Sequence, residues 1–349
     1  MRTIILLLIS SLATFALAQD GIKKIHIDGH FYSTPIVTSD DNVVIASHNK
    51  TIYLFNNKGE LQNSYTTNGW IHATPKQLNN SQITIGSYDK CFYFLDKDGN
   101  FLKKIEPKAG KIFTEPIELG HNKIAFGTGK GKIMFYDMTA DSFYYAKVGH
   151  IMHGSPLTLS NGKMTIGGNG RRIFIIDTAA NVLANYKTKG WIMHSKPTET
   201  TDGQIVVGSY DKNLYSIDTA ANLNWKFKTK GRIHSSICQM PNGNLVFGSF
   251  DKNIYCVAPN GKLVNKYTTK KRIVSSPATV NDSVFAICGI DGGVYFLNSD
   301  GQLLGKFQAE GKFFSTPIAM HDGTIFCCTT NGNLYFISPE AVQKILSGL

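Results

Sequence analysis

The phrase GWIMHSKP at residues 190–197 has close counterparts in GWIHATP at 69–75 and GRIHSSI at 231–237. Related phrases recur along the chain at steps of 40 or 41 residues. A fixed period of this length is typical of repeat architectures. We call them the lead-in phrases; the eight copies are FYSTP (31–35), IHATP (71–75), IFTEP (112–116), MHGSP (152–156), MHSKP (193–197), IHSSI (233–237), IVSSP (273–277) and FFSTP (313–317).

A second phrase follows each lead-in phrase and has the pattern of a β-hairpin. In ITIGSYDKCFYFL (83–95) and IVVGSYDKNLYSI (205–217), two β-rich runs flank a turn of Gly, Asp and Lys. A further strand comes next, as in LNWKFKT (223–229). Each unit therefore holds four short strands, which is typical of a propeller blade. The sequence predicts an all-β, eight-bladed β-propeller of four-stranded antiparallel blades.

The two ends of the chain favour a closed ring over an open solenoid. The last unit stops after NLYFISPE (333–340) without an outer strand, and an unassigned strand, IKKIHI (22–27), precedes the first lead-in phrase. The N-terminal strand is therefore expected to complete the eighth blade, which would leave no open sheet edge at the seam. The predicted propeller spans residues 21–338, and a short helix or tail follows at 339–349.

The first 18 residues have the features of a secretory signal peptide. Arg2 precedes an apolar run, and ALA at 16–18 forms a small-residue cleavage box. No cysteine stands at the cleavage point, so a lipid anchor is not expected. No later stretch is apolar for long enough to span a bilayer. We expect a secreted or periplasmic protein without a transmembrane segment.

The charge balance favours an anionic partner. The chain has 36 Lys and Arg against 25 Asp and Glu, a net charge of +11, which suits acidic glycans, lipid head groups or nucleic acid. Export makes nucleic acid the weakest of these, and no nucleic-acid partner is expected. The six cysteines show no CxxC spacing. They are expected to be small buried residues, and no disulfide pair is assigned.

The segments GSYDKNLYSID (208–218) and LNWKFKTKGRIHSSI (223–237) resemble the repeat of the pyrroloquinoline-quinone-like β-propeller family. The resemblance covers all eight units. That family includes quinoprotein dehydrogenases, a scaffold of outer-membrane protein assembly, enzymes that act on polysaccharides, and binding scaffolds. The dehydrogenases carry a vicinal cysteine pair near the quinone, but here Cys327 and Cys328 lie in a predicted strand and would point to opposite faces. No cofactor is therefore expected.

The repeat places one residue of each blade at the mouth of the central channel. The links between blades and the turns between middle strands are expected to share one face. The channel-lining position reads Tyr32, His72, Phe113, His153, His194, His234, Val274 and Phe314. The position after the glycine reads His30, Trp70, Lys111, His150, Trp191 and Arg232, and alignment of the repeats adds Arg272 and Lys312. Neighbouring blades could supply two ligands to a metal ion but not readily a third, so no metal site is expected.

These side chains suit an anionic ligand that contains rings. Tryptophan stacks on sugar rings, arginine binds carboxylate or sulfate through a planar fork, and histidine donates or accepts near neutral pH. An anionic polysaccharide is the predicted partner of an exported binding or scaffold propeller. The predicted ligand-binding residues are Trp70, His72, Lys111, His153, Trp191, His194, Arg232, His234 and Arg272.

Two alternatives stay open. A lyase of uronate polysaccharides would need a base and a cation to neutralise the carboxylate, for which His194, Tyr210 and Arg232 are the candidates. A glycosidase would instead need paired carboxylates, but Asp211 and Asp251 are predicted to form ordinary hairpin turns. The other alternative is a scaffold for outer-membrane protein assembly, with a protein partner at the cell envelope.

Overall fold

The protein is an eight-bladed β-propeller. The computed structural model describes residues 17–19, 21–120 and 122–348, and within them eight antiparallel sheets follow one another along the chain. The fold predicted from the repeats is confirmed. The predicted signal peptide, residues 1–18, lies outside the described residues except for its last two. No helix of the described part has the length and apolar character needed to cross a membrane.

The first four blades each contain four strands, named here inner, second, third and outer. In that order they are Ile36–Val37, Val43–Ala46, Thr51–Phe55 and Leu61–Thr66 in blade 1; Lys76–Gln77, Ile83–Gly86, Phe92–Leu95 and Phe101–Ile105 in blade 2; Ile117–Glu118, Lys123–Gly127, Lys132–Asp137 and Ser142–Lys147 in blade 3; Leu157–Thr158, Met164–Gly168, Arg172–Ile176 and Val182–Lys187 in blade 4.

The next three blades repeat this arrangement. Their strands, again from inner to outer, are Thr198–Glu199, Ile205–Gly208, Asn213–Ile217 and Leu223–Lys228 in blade 5; Cys238–Gln239, Leu245–Gly248, Asn253–Val257 and Leu263–Thr268 in blade 6; Ala278–Asn281, Val284–Cys288, Gly293–Asn298 and Leu303–Gln308 in blade 7.

The N-terminal strand completes the eighth blade, as the sequence predicts. Ile318–Ala319, Ile325–Cys328 and Asn333–Ile337 pair in order, and Ile22–His26 then pairs antiparallel with the last of these. A short strand, Leu17–Gln19, adds to its outer edge. The chain ends in a helix, Pro339–Ser347, whose first turn is capped by the Ser338 hydroxyl accepting from the Ala341 amide.

The core lies between neighbouring blades. The second and third strands are buried along most of their length, and every residue of Ile83–Gly86 and Phe92–Leu95 is buried, whereas the outer strand Phe101–Ile105 is mostly exposed. Strands buried on both faces read as continuous apolar runs, which is what the hairpin phrases show. Phe92 of blade 2 stacks on Phe126 of blade 3 with 4.7 Å between ring centroids.

The cysteines belong to this packing. All six are free thiols, and five of them are buried. Cys327 packs in the core between blades 7 and 8, while Cys328 packs in the core between blades 8 and 1. The two side chains therefore point to opposite faces of the strand, as predicted. Burial raises the pKa of Cys256 to about 12 and that of Cys328 further, so both are uncharged packing residues.

Candidate functional site

The lead-in phrases of blades 3 to 7 are each fixed by an apolar side chain that packs on a glycine of the preceding blade. A Cβ added to Gly86 would come within 2.3 Å of Ile112 Cγ2. A Cβ added to Gly208 would come equally close, 2.3 Å, to Ile233 Cγ2. At these five positions the absence of a side chain on glycine leaves room for the close approach, whereas blades 1, 7 and 8 have Ala46, Cys288 and Cys328 at the equivalent strand position. The glycine at the end of the second strand thereby sets the depth at which the next lead-in phrase enters the channel.

The backbone of the lead-in phrase is tied to the turn between the second and third strands of its own blade, which we call the middle turn. The Tyr88 amide donates to the Trp70 carbonyl at 2.9 Å, and the Tyr210 amide donates to the Trp191 carbonyl at 2.8 Å. The Asp211 carboxylate accepts from the Gly190 amide at 2.9 Å. Lead-in phrases and middle turns therefore converge on one face, named here the lead-in face, as the sequence predicts.

Blade 4 corrects one alignment made from the sequence. The Asn169 amide donates to the Ile151 carbonyl at 3.0 Å, the same bond that Trp70 and Trp191 accept in their blades. The structural counterpart of the two tryptophans is therefore Ile151 and not His150. Met152 is fully buried and takes the place that isoleucine has in neighbouring blades, so aligning on the glycine put His150 one position out of register.

Blade 5 contains an insertion that the sequence comparison did not separate from the repeat. Ile192 packs on Gly167, and the Ser195 hydroxyl accepts from the Gly208 amide, as their counterparts do in other blades. Two residues, Met193 and His194, stand between them where the other blades have one. His194 takes up the extra residue with a left-handed backbone, φ 64°. The 41-residue step from His153 to His194 was the available sign of this bulge.

The eight predicted channel-lining residues surround one central cavity of about 490 Å³. Four of its histidines lie in contact with one another around His194. The ring of His194 lies 5.1 Å from His72, 5.4 Å from His153 and 4.5 Å from His234, measured between ring centroids. The contact with His72 joins blades 2 and 5, so the bulge carries His194 across the channel mouth.

A fifth histidine joins this group from a middle turn. The ring nitrogens His48 Nε2 and His72 Nδ1 lie 3.1 Å apart, and Trp70 stacks on His48 at 5.5 Å with the ring planes nearly parallel. His48 was not predicted from the sequence, although it aligns with Tyr88 and Tyr210, which are middle-turn residues of other blades. We call the five rings the imidazole cluster; its members are His48, His72, His153, His194 and His234.

The imidazole cluster is electrically neutral near pH 7. Burial, together with the neighbouring His48, lowers the pKa of His72 to about 3. Burial likewise lowers the pKa of His234 to about 4, although its ring also bonds the Val274 carbonyl. Burial holds the pKa of His194 well below its usual value. Neutral rings can each donate one and accept one hydrogen bond, so the cluster can bind hydroxyl groups of either orientation.

A second layer of polar side chains lines the cavity, each two residues after one of the eight channel-lining residues. Six of the eight positions carry hydroxyls, and the other two carry Glu115 and Lys196. These two pair across the intervening blade, with Lys196 Nζ 2.8 Å from Glu115 Oε2. The ion pair was not predicted from the sequence. We call the six hydroxyl residues the hydroxyl ring; they are Thr34, Thr74, Ser155, Ser236, Ser276 and Thr316.

A cationic groove lies on the lead-in face beside the channel mouth. It has a volume of about 670 Å³, and Trp191, Arg232 and Tyr210 line it together with Arg171 and Lys189. Half of the Trp191 side chain is exposed, and Trp70 is 54% exposed on the same face. A flat apolar ring flanked by cations is suited to a sugar that carries an acidic group.

Cations of the lead-in phrases stack on aromatic middle turns of the preceding blade. Arg232 Cζ lies 5.2 Å from the centre of the Tyr210 ring, and Arg272 Cζ lies 5.0 Å from that of Phe250. Lys111 Nζ lies 4.7 Å from the centre of the Tyr88 ring. These contacts hold the charged groups on the surface without neutralising them.

The three catalytic candidates do not share one cavity. His194 lies in the channel, whereas Tyr210 and Arg232 line the cationic groove. Burial raises the pKa of Tyr210, and the nearby Arg232 offsets this only in part. The ring of Tyr210 lies 6.2 Å from that of His234 in the next blade, measured between centroids.

The carboxylates of the middle turns are used by the fold. Asp211 Oδ2 accepts from the Lys189 and Gly190 amides and from the Tyr215 hydroxyl. Asp251 makes the corresponding bonds in blade 6. Within the described residues, no three His, Cys, Asp or Glu side chains are arranged to hold a metal ion.

Comparison with known proteins shows likeness at the level of the fold. The family model of the λ-carrageenase β-propeller domain matches residues 196–288. No curated protein matches the chain. BamB from Moraxella catarrhalis superposes with a TM-score of 0.74 at 17% identity, over 93% of this chain and 99% of BamB. The computationally designed protein Ika8 superposes with a TM-score of 0.73 at 13% identity, over 90% of this chain and 97% of Ika8. The chain has the propeller fold of these proteins.

Proposed function

We propose that this protein is an exported binding propeller whose lead-in face binds an anionic glycan. The observation that carries the proposal is the cationic groove, in which half-exposed Trp191 lies beside Arg232, Arg171 and Lys189. The tryptophan would stack on a sugar ring while the guanidinium groups bind its carboxylate or sulfate. A secreted or periplasmic location is part of this proposal.

The family comparison supports an acidic polysaccharide as the ligand. The match at residues 196–288 is to the propeller domain of an enzyme that by its name acts on λ-carrageenan, and this stretch includes Arg232 of the cationic groove and His234 of the imidazole cluster. The net charge of +11 favours the same class of ligand. We therefore propose sulfated or uronate-containing polymers as the first ligands to test.

A lyase activity is the second candidate, and it rests on the pair formed by Tyr210 and Arg232. Their approach in the groove could place a base beside a carboxylate-binding cation. However, burial raises the pKa of Tyr210, which disfavours the tyrosinate that would act as base. Binding without cleavage is therefore the better-supported function. A scaffold role at the cell envelope is supported by the fold of BamB alone.

Affinity electrophoresis tests the proposal. The mature protein is run through gels that contain λ-carrageenan, polygalacturonate or a neutral galactan. Acidic gels should retard it, the neutral gel should not, and added salt should reduce the retardation. Arg232→Gln and Trp191→Ala should weaken the retardation. Lys226→Gln, which removes an exposed charge from the outer strand of blade 5, is the matched control and should leave it unchanged.

Two results would count against binding without cleavage. Equal retardation by neutral and acidic gels, or retardation unaffected by both groove substitutions, would remove the lead-in face as the site. Release of unsaturated or reducing ends from an acidic polymer, lost in Arg232→Gln, would show that the groove belongs to an enzyme.

A further inference from the structure

The hydroxyl ring presents hydrogen-bond donors to the channel. The Ser236 hydroxyl accepts from the Lys196 amide at 2.9 Å, and the Ser276 hydroxyl accepts from the Ser236 amide at 2.9 Å. The Ser155 hydroxyl accepts from the Glu115 amide at 3.0 Å. Within the described part of the chain, none of these three hydroxyls donates to a protein group. Their protons are therefore available to an acceptor in the channel.

Lys196 adds a positive charge to the same level of the channel. Its ammonium group contacts the Glu115 carboxylate and keeps 31% of its side chain exposed. An ammonium has three donors, and one carboxylate does not use them all. A ligand that brings an acidic group into the channel would compete with Glu115 for Lys196.

His194 covers this polar layer from the side of the lead-in face. Its left-handed backbone, φ 64°, is strained for a residue other than glycine. The one-residue insertion in blade 5 places its ring among three other imidazoles over the cavity. Beside it, His153 Nδ1 is buried and has no hydrogen-bond partner in the described residues. Strain and an unsatisfied nitrogen at one place are typical of a ligand-binding site.

We propose that the central channel binds the terminal acidic unit of the glycan, end-on, with Lys196 and the hydroxyl ring holding its acidic group and His194 contacting its sugar ring. The inference rests on the proposed function and specifies which part of the polymer the protein recognises. The cavity of about 490 Å³ has the size of a small-molecule site. The cationic groove then holds the following units of the same chain outside the channel.

Calorimetric titration with oligosaccharides of defined length tests end-on binding. The probes are the disaccharides and tetrasaccharides of λ-carrageenan and of polygalacturonate, together with the two polymers. If the channel takes the chain end, a short oligosaccharide of one series binds, and the polymer of that series binds in proportion to its chain ends and not to its mass. Binding in proportion to mass, with no binding of any short probe, would overturn the inference and leave the proposed function standing.

Two matched substitutions in the ion pair give opposite results if the inference is correct. Lys196→Met removes the charge that holds the acidic group and should lower the affinity for the short probe by about 10- to 100-fold. Glu115→Gln removes the competing carboxylate and should raise that affinity. Equal losses in both variants, or no change in either, would overturn the channel site. Thermal melting of both variants checks that they fold.

The same data distinguish the failure of the two proposals. Retardation of the protein by acidic polymers, unchanged in Lys196→Met but lost in Arg232→Gln, supports groove binding and rejects the channel site. Absence of binding to every acidic probe, short or long, rejects both proposals together.

Discussion

His194 is the residue at which the repeat is interrupted. Its backbone has φ 64°, a conformation that glycine adopts freely and that costs other residues about 1 kcal/mol or more. His234 stands at the same position of the next blade and is not among the residues with positive φ. The two histidines therefore provide a matched pair for testing the bulge.

At His194, replacement by glycine should give a more stable protein than replacement by alanine, by about 1 kcal/mol, because glycine relieves the backbone strain. At His234 the order should be reversed, because glycine in ordinary backbone loses more entropy on folding. Urea unfolding of the four variants measures both differences. Alanine being the more stable replacement at both positions would mean that blade 5 has no left-handed residue there.

The imidazole cluster should make the protein sensitive to mild acid. The pKa of His72 is lowered from 6.5 to about 3 in the folded chain. Between these two pH values the unfolded chain therefore binds a proton at His72 and the folded chain does not. Stability is therefore complete above about pH 7 and falls by about 1.4 kcal/mol per pH unit for each such histidine as the pH drops below 6.5.

Calorimetric melting between pH 7 and pH 4.5 measures this slope. His72→Gln should reduce the dependence of the melting temperature on pH. His150→Gln, which changes an exposed histidine outside the cluster, should leave it as it is. A wild-type melting temperature that is constant across this range would contradict neutral, buried imidazoles.

Individual residues of the site were partly predictable from the sequence. The repeat placed His72, His153, His194 and His234 at one position, because a residue at fixed offset in each unit must occupy the same place in each blade. It did not reveal His48, because a histidine in a middle turn has no repeated counterpart. The Glu115–Lys196 pair was also missed, since it joins two blades that are not neighbours and no local pattern records it.

At the scale of the structural element, the middle turn positions the residues of the site. Asp211 holds the Gly190 amide and the Tyr215 hydroxyl at once, which fixes the lead-in phrase beside Trp191. Asp211→Ala leaves these donors without their acceptor and should lower the free energy of unfolding by about 1–3 kcal/mol. Asp211→Asn keeps an acceptor oxygen, so its free energy of unfolding should lie between those of Asp211→Ala and the wild type. Urea unfolding measures both.

The binding measurement on the same variants separates a structural carboxylate from a catalytic one. A stable Asp211→Asn protein that still binds acidic polymer fits the structural role. A stable Asp211→Asn protein that has lost a polysaccharide-cleaving activity would instead identify Asp211 as a reacting group.

The hairpins were predictable at this scale, because their buried strands read as continuous β-rich runs around a turn. The alignment of the lead-in phrases was less secure. Blade 4 carries its exposed position at Ile151, one residue after the histidine that follows the glycine. The hydrogen bond from the Asn169 amide to the Ile151 carbonyl shows that Ile151 is the equivalent residue. The spacing from the preceding glycine does not show this, because glycine lets the chain take different paths at this point.

At the scale of the whole molecule, ring closure depends on the N-terminal strand. Ile22–His26 pairs with Asn333–Ile337, and Ile25 and Ile27 are 2% exposed. A chain that begins at Asp28 loses both isoleucines and should be destabilised by at least about 3 kcal/mol. A chain that begins at Gly21 keeps Ile22–His26 and loses the short outer strand Leu17–Gln19, so it serves as the control. Equal urea midpoints for the two truncated chains would contradict closure by this strand.

The closed eight-bladed ring was predictable as a whole, because the period, the incomplete last unit and the unassigned first strand agree with one another. The ligand was not, because a propeller supports many functions and the residues that select a ligand are those that depart from the repeat. The insertion at Met193 and the charges of Glu115 and Lys196 are such departures. Each became visible only when the blades were compared in space.

The most direct test of the central claim uses the three tryptophans as reporters. Trp70 and Trp191 are about half exposed on the lead-in face, whereas Trp225 is partly buried and its indole N–H donates to Gln204. Acrylamide quenching of tryptophan fluorescence is measured with and without saturating acidic polysaccharide. We predict strong protection in the wild type and in Trp225→Phe, and none in the double variant Trp70→Phe/Trp191→Phe. Protection that is lost in Trp225→Phe and kept in the double variant, or no protection in the wild type, would contradict ligand binding at the lead-in face.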